Sequence, residues 1–197
     1  AFTTAAGMVA LTEKYLKDGF DQGLDKSSVV ILGGTGPVGV ASAVICAKAG
    51  ANVRLVGRSI EKAEKTAAIC NDRYQSKNVV AGADADKQDY LNDADIVLNT
   101  GAAGIQLMSD ENVQMSSNLK ICADTNAVPP SGIAGVDVMD SGKIMEKSPN
   151  KCRGIGALAI GNVKYKSQHE CLKLMYTSDD PVYLDFEDAF KFAQKSV

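Results

Sequence analysis

Val29-Val30-Ile31-Leu32-Gly33-Gly34-Thr35-Gly36-Pro37-Val38-Gly39 decides the fold. Four consecutive apolar residues, three of them β-branched, read as a short strand buried on both faces, as the middle of a parallel sheet requires. Gly34-Thr35-Gly36-Pro37-Val38-Gly39 is then a G-x-G-x-x-G between that strand and a helix predicted from about Val38 to Ala49. In that setting the pattern carries a mechanism. Gly34 permits a tight turn, Gly36 leaves no Cβ between the backbone and a diphosphate, and Gly39 lets the helix approach the strand. Pro37 suits the first helical turn, where a missing N–H costs nothing. Free amides at the helix start, aided by the helix dipole, then face an anion. The alternative is a tight strand-to-helix turn that binds nothing.

Working outward, Gly50 stops the helix, and strand-like and helix-like segments alternate. Asn52–Val56 reads as the second strand and Ile60–Tyr74 as its crossover helix. Asn78–Ala81 reads as a weak third strand, Lys87–Asp93 as an acidic helix or loop, Ile96–Asn99 as the fourth strand and Leu119–Ala123 as the fifth. Such alternation specifies an α/β fold: a doubly wound parallel sheet of Rossmann type with helices on both faces. Ligands of these sheets bind beyond the carboxyl ends of the strands, so function is expected in the loops after Leu32, Val56, Asn99 and Asp124.

Flanking segments complete the plan. Met8, Val9, Leu11, Tyr15 and Leu16 recur at helical spacing, predicting a helix over 3–18 capped by Thr3 or Thr4 and ended by Gly19. Residues 125–151 read as loops around a strand-like Gly135–Val138. Gly156–Ile160 reads as the last strand and 162–177 as a helix. In the terminal helix Phe186, Ala189, Phe190 and Ala193 form one apolar stripe that must pack on something. The expected organisation is a flanking helix at 1–22, a dinucleotide-binding domain at 23–180 and a C-terminal helix at 181–197.

The end of the second strand decides which dinucleotide fits. NAD-binding proteins commonly place a carboxylate there to accept from the ribose 2′-hydroxyl. Here Val56 runs into Gly57-Arg58-Ser59, with Lys62 and Lys65 close by and Glu61 near. A guanidinium, a hydroxyl and an ammonium suit a 2′-phosphate, so Arg58, Ser59 and Lys62 predict NADP, with NAD as the weaker alternative. The competing reading leaves Arg58 and Lys62 solvated, although cations at a helix start oppose its dipole. Asn99-Thr100-Gly101-Ala102-Ala103-Gly104 follows the fourth strand, and its small residues, Thr100, Gly101 and Ala102 first, leave room for the cofactor to cross the sheet edge.

Other chemistries find little support. A net charge of −3 gives no footprint for nucleic acid or an anionic membrane. No apolar run reaches the roughly 18–20 residues that span a bilayer. The five cysteines show no C-x-x-C and are expected to be buried, which fits a reducing cytoplasm. No metal-ligand cluster or Ser/His/Asp set is visible. None of the six tyrosines has Lys four residues later, so the Tyr-x-x-x-Lys mechanism of short-chain dehydrogenases is absent. The lone His169 reads as a surface or packing residue.

Together these residues resemble the NADP-dependent methylene-tetrahydromethanopterin/methylene-tetrahydrofolate dehydrogenases of methylotrophic bacteria. The landmarks are Thr3–Gly7, Gly34–Gly39, Gly57-Arg58-Ser59 with Lys62, Thr100–Ile105, Asp124–Ile133, and Gly156–Gly161 followed by Lys164. The resemblance implies an oxidoreductase that takes hydride from the methylene bridge of a tetrahydropterin carrier to NADP, giving the methenyl form. It further implies Asn126 at the cofactor, Lys164 as the catalytic-site residue reaching the pterin, a cytoplasmic homo-oligomer, and a preceding domain joined through helix 1–22. The terminal stripe is then expected to turn toward that preceding domain, which is absent from this sequence. A shikimate-dehydrogenase-like NADP oxidoreductase and a non-catalytic NADP-sensing domain are the alternatives.

Overall fold

The run that opens the glycine-rich turn becomes β1, Ser28–Leu32, and its side chains alternate between two cores. Val29 and Ile31 enter one, Val30 and Leu32 the other. Burying each such side chain contributes about 2 kcal/mol, which is why a strand this short anchors the sheet. The structure, a computed structural model, describes residues 1–197. Six further strands join β1: β2 Asn52–Gly57, β3 Val79–Ala83, β4 Ile96–Asn99, β5 Ile121–Asp124, β6 Ser141–Ile144 and β7 Arg153–Ile155. The order is β3-β2-β1-β4-β5-β7-β6, parallel throughout except for β6, which runs antiparallel to β7 at the edge. The order reverses between β1 and β4, so the crevice lies above these two strands.

Seven helices cover the sheet: α1 Phe2–Phe20, α2 Pro37–Lys48, α3 Ile60–Arg73, α4 Lys87–Asn92, α5 Asp110–Met115, α6 Ala157–Thr177 and α7 Phe186–Gln194. The larger core packs α1, α2, α3, α6 and α7 on one face of the sheet. The smaller packs α4, α5 and the segment from Ile133 to Cys152 on the other. The expected α/β architecture is therefore present, with helices on both faces. No helix is long and apolar enough to cross a membrane.

Three local expectations fail for physical reasons. Gly19 does not end α1. The helix runs through it to a left-handed Asp21 (φ 50°), and neither Thr3 nor Thr4 caps its start. Gly19 instead lies against the Arg153 guanidinium, whose Nε would stand 2.6 Å from a Cβ there. The strand expected at Gly156–Ile160 is the first turn of α6, with extended Gly156 as its N-cap and β7 already finished at Ile155. Short apolar runs do not distinguish strand from buried helix by periodicity. Gly135–Val138 is not a strand either. Gly135 has φ 82°, and the edge partner of β7 is the mostly exposed β6, whose solvation removes the alternation that would have announced it.

The apolar stripe of α7 finds partners within this chain. Ala189 and Ala193 are fully buried, with Phe186 and Phe190 partly covered, all in the core shared with α1 and α6. Ser167 Oγ of α6 donates to the Ala189 carbonyl at 2.7 Å, and Lys48 of α2 pairs with Glu187. The two alanines of the stripe are thus covered within this chain, and the two phenylalanines in part.

Candidate functional site

The loops after β1 and β4 meet directly above the point where strand order reverses. Gly33 is left-handed (φ 64°), and a Cβ on it would lie 2.6 Å from Gly101 Cα. Thr100 Oγ1 lies 3.1 Å from the Leu32 carbonyl and 3.3 Å from that of Gly33, so its hydroxyl ties the two loops together. The Gly34 N–H donates to the Val56 carbonyl at 2.9 Å, joining the turn to β2. Thr35 lies beside Gly57, where a Cβ would come within 2.8 Å of its Cγ2.

The three motif glycines answer to different demands. At Gly34 a Cβ would sit 2.8 Å from Leu55 Cγ and 3.0 Å from the Ile31 carbonyl oxygen. At Gly39 it would sit 2.5 Å from Gly34 Cα, against main chain that cannot yield. Both are set by packing. Gly36, the N-cap of α2, has an ordinary extended backbone (φ −88°, ψ 172°), and a Cβ there would meet nothing within 4 Å. Neither conformation nor packing within the chain requires glycine at 36. It opens α2 with no side-chain cap, followed by Pro37, leaving first-turn amides unclaimed by any capping side chain, the arrangement that receives a phosphate. Val38 follows in the first turn, partly buried against the larger core.

At the end of β2, Arg58, Lys62 and Lys65 are exposed and make no ion pair within the chain. Ser59 is engaged. Its Oγ caps α3 by accepting from the Lys62 N–H at 3.2 Å and donates to Glu61 Oε2 at 2.7 Å. That bond holds the Glu61 carboxyl below its ordinary value. Three of the residues predicted to surround a 2′-phosphate are therefore brought together, and Glu61 joins them.

A buried polar brace that sequence reasoning missed shapes the other side of the crevice. Asp124, at the end of β5, is 2% exposed. Its Oδ1 accepts from Asn99 Nδ2 at 2.7 Å and from the Asn126 N–H at 2.9 Å, and its Oδ2 accepts from the N–H groups of Gly132 and Ile133 at 2.7 and 3.0 Å. Asn99 Oδ1 accepts from the Gly101 N–H at 3.1 Å. Asn126, expected at the cofactor, turns its side chain to the loops: Oδ1 accepts from Gly104 and Val128 N–H at 3.1 Å each, and Nδ2 donates to the Pro130 carbonyl at 2.6 Å. The signal available in the sequence was an acid ending an otherwise apolar strand, with Gly132 eight residues on. Gly132 is needed because a Cβ there would collide with the Asn99 amide. Ala102 stands exposed at the mouth of the same loop.

Lys164 sits on α6, against α1. It is half-buried, about 12 Å along α6 from Gly156 at a helical rise of about 1.5 Å per residue. Its main-chain N is 3.0 Å from where Gly7 of α1 would carry a Cβ, and its ammonium makes no hydrogen bond or ion pair within the chain. His169 is a surface residue, with Nδ1 3.5 Å from Glu170, in an open depression that shares no residue with the glycine-rich loop. All five cysteines are buried free thiols. No group of three His, Cys, Asp or Glu side chains is placed to hold a metal ion.

With this geometry, comparison with known proteins becomes specific. No protein-family model matches the chain. Over 196 residues, 98% of its length, it is 38% identical to the NAD(P)-dependent methylenetetrahydromethanopterin dehydrogenase of Methylorubrum extorquens. The chain is similar to that dehydrogenase over nearly its whole length. It matches the bifunctional protein MdtA of the same organism at the same 38% identity, and spans 65% of the length of each curated relative. Among solved structures, the quinate dehydrogenase of Corynebacterium glutamicum in complex with NAD superposes over 99% of this chain and 62% of its own, with TM-score 0.59 at 15% identity. That likeness bears on fold alone, and the fold is of Rossmann type.

Proposed function

We propose that this chain is the dinucleotide-binding part of an oxidoreductase that takes hydride from a methylene-tetrahydropterin C1 carrier to NADP. The reaction class is supported by the 38% identity to the methylenetetrahydromethanopterin dehydrogenase. The observation that carries the cofactor half is Gly36: a glycine with open space where a Cβ would go, at the helix start above the switch point. Its vacancy of demand within the protein fits a ligand that must reach the main chain. The amides after Gly36 would hold the diphosphate, Thr35 would line it, and Arg58, Ser59 and Lys62 would take the 2′-phosphate. Gly101 and Ala102 would leave room beside the sheet edge, and Asn126 would act through the loops it braces.

When bound, NADP would supply the hydride acceptor, and loss of hydride would leave the bridging carbon of the carrier as a methenyl cation shared with its two flanking nitrogens. No proton is transferred, so the protein needs no acid–base pair, and its work is orientation and electrostatics. Lys164, a half-buried cation without a partner in this chain, is the residue proposed to meet and position the carrier. The cytoplasm and a homo-oligomer belong to the same reading, the second checked by light scattering of the full-length protein. The test of function is turnover: the full-length enzyme should form NADPH from NADP and methylene-tetrahydromethanopterin or methylene-tetrahydrofolate. Binding of NADP without turnover on either carrier would instead favour a sensing role.

A further inference from the structure

The turn after β2 carries opposed signals within five residues. Arg58 and Lys62 are exposed, unpaired cations, which attract a phosphate. Between them in sequence, Glu61 is held in the first turn of α3 by the 2.7 Å bond from Ser59 Oγ. Ser59 has one hydroxyl proton, and it is directed at Glu61 while its oxygen caps the Lys62 N–H at 3.2 Å. A 2′-phosphate seated beside Ser59 must therefore take that proton from a carboxylate and lie near a like charge. A ribose 2′-hydroxyl faces no such conflict, because it can donate to the same carboxylate.

Resting on the NADP reading above, we infer that Glu61 is a specificity-determining residue that tempers the preference set by Arg58 and lets NAD compete at the same site. Arg58 draws the phosphate, and Glu61 both repels it and offers an acceptor to the unphosphorylated ribose. The balance between the two, not Arg58 alone, sets the ratio of affinities. A merely structural Glu61, stabilising α3 through its dipole, would change both nucleotides alike or neither.

Glu61→Gln separates these roles, because the amide oxygen still accepts from Ser59 while the charge is gone. Titration of NADP and of NAD into the wild-type chain and the variant should show the NADP-to-NAD affinity ratio rising roughly five- to tenfold, the scale of one screened charge near a phosphate. Glu61→Ala should move the ratio in the same direction, and Arg58→Ala in the opposite one. An unchanged ratio in both Glu61 variants, or equal loss of both nucleotides, overturns the inference while leaving NADP binding standing. Failure of the wild-type chain to bind either nucleotide overturns the underlying functional reading and this inference with it.

Discussion

Gly36 and Gly39 stand three residues apart in one motif, yet the protein demands only one of them. A Cβ at 39 would meet the main chain of Gly34, so Gly39→Ala should lower stability by about 3 kcal/mol, read as a shifted urea midpoint. Gly36→Ala should leave that midpoint unchanged or slightly raised, since its backbone is one any residue adopts. Lys164 is separable in another way. Lys164→Ala should leave NADP affinity within about twofold while lowering turnover of the full-length enzyme by tenfold or more, roughly 1.4 kcal/mol of lost carrier positioning. Equal loss of nucleotide affinity would place Lys164 in the α1–α6 packing instead.

Elements show where residue patterns suffice and where they do not. β1 and β4 were legible because they lie inside the sheet, where burial on both faces leaves nearly continuous apolar runs. β6 was invisible, since an exposed edge strand carries no pattern, and Ala157–Ile160 read as strand because four apolar residues fit either state. In the site, the tight turn between β1 and α2 was legible through its glycines, but the Asn99–Asp124–Gly132 brace depends on three segments meeting in space. That brace fixes the loops after β4 and β5 relative to each other. Asp124→Asn would turn an amide donor toward N–H groups that need an acceptor, so it should cost about 2–4 kcal/mol and shift the thermal midpoint downward. A stable Asp124→Asn chain would show that the loops hold their places without it.

The whole molecule is a helix-covered sheet whose switch-point crevice is built largely from main chain and whose thiols lie inside. Burial first, and the charge of Glu13 second, push Cys46 up to about 12, and burial pushes Cys70 up to about 11, from an ordinary value near 9. Between those values the unfolded chain has lost these protons and the folded chain retains them, so folding binds protons there. Stability is accordingly full below about pH 9 and falls as pH rises toward 12. Urea midpoints at about pH 8 and about pH 10 should record the fall, and Cys46→Ala should flatten it. The central claim concerns the crevice, where the turn between β1 and α2 takes a diphosphate on bare main chain. Calorimetric titration of NADP into the wild-type chain and into Gly36→Ala tests it most directly. Saturable binding by the wild type, weakened at least tenfold in a variant that melts at the same temperature, is the predicted result; equal affinity in the two, or no binding by either, would contradict it.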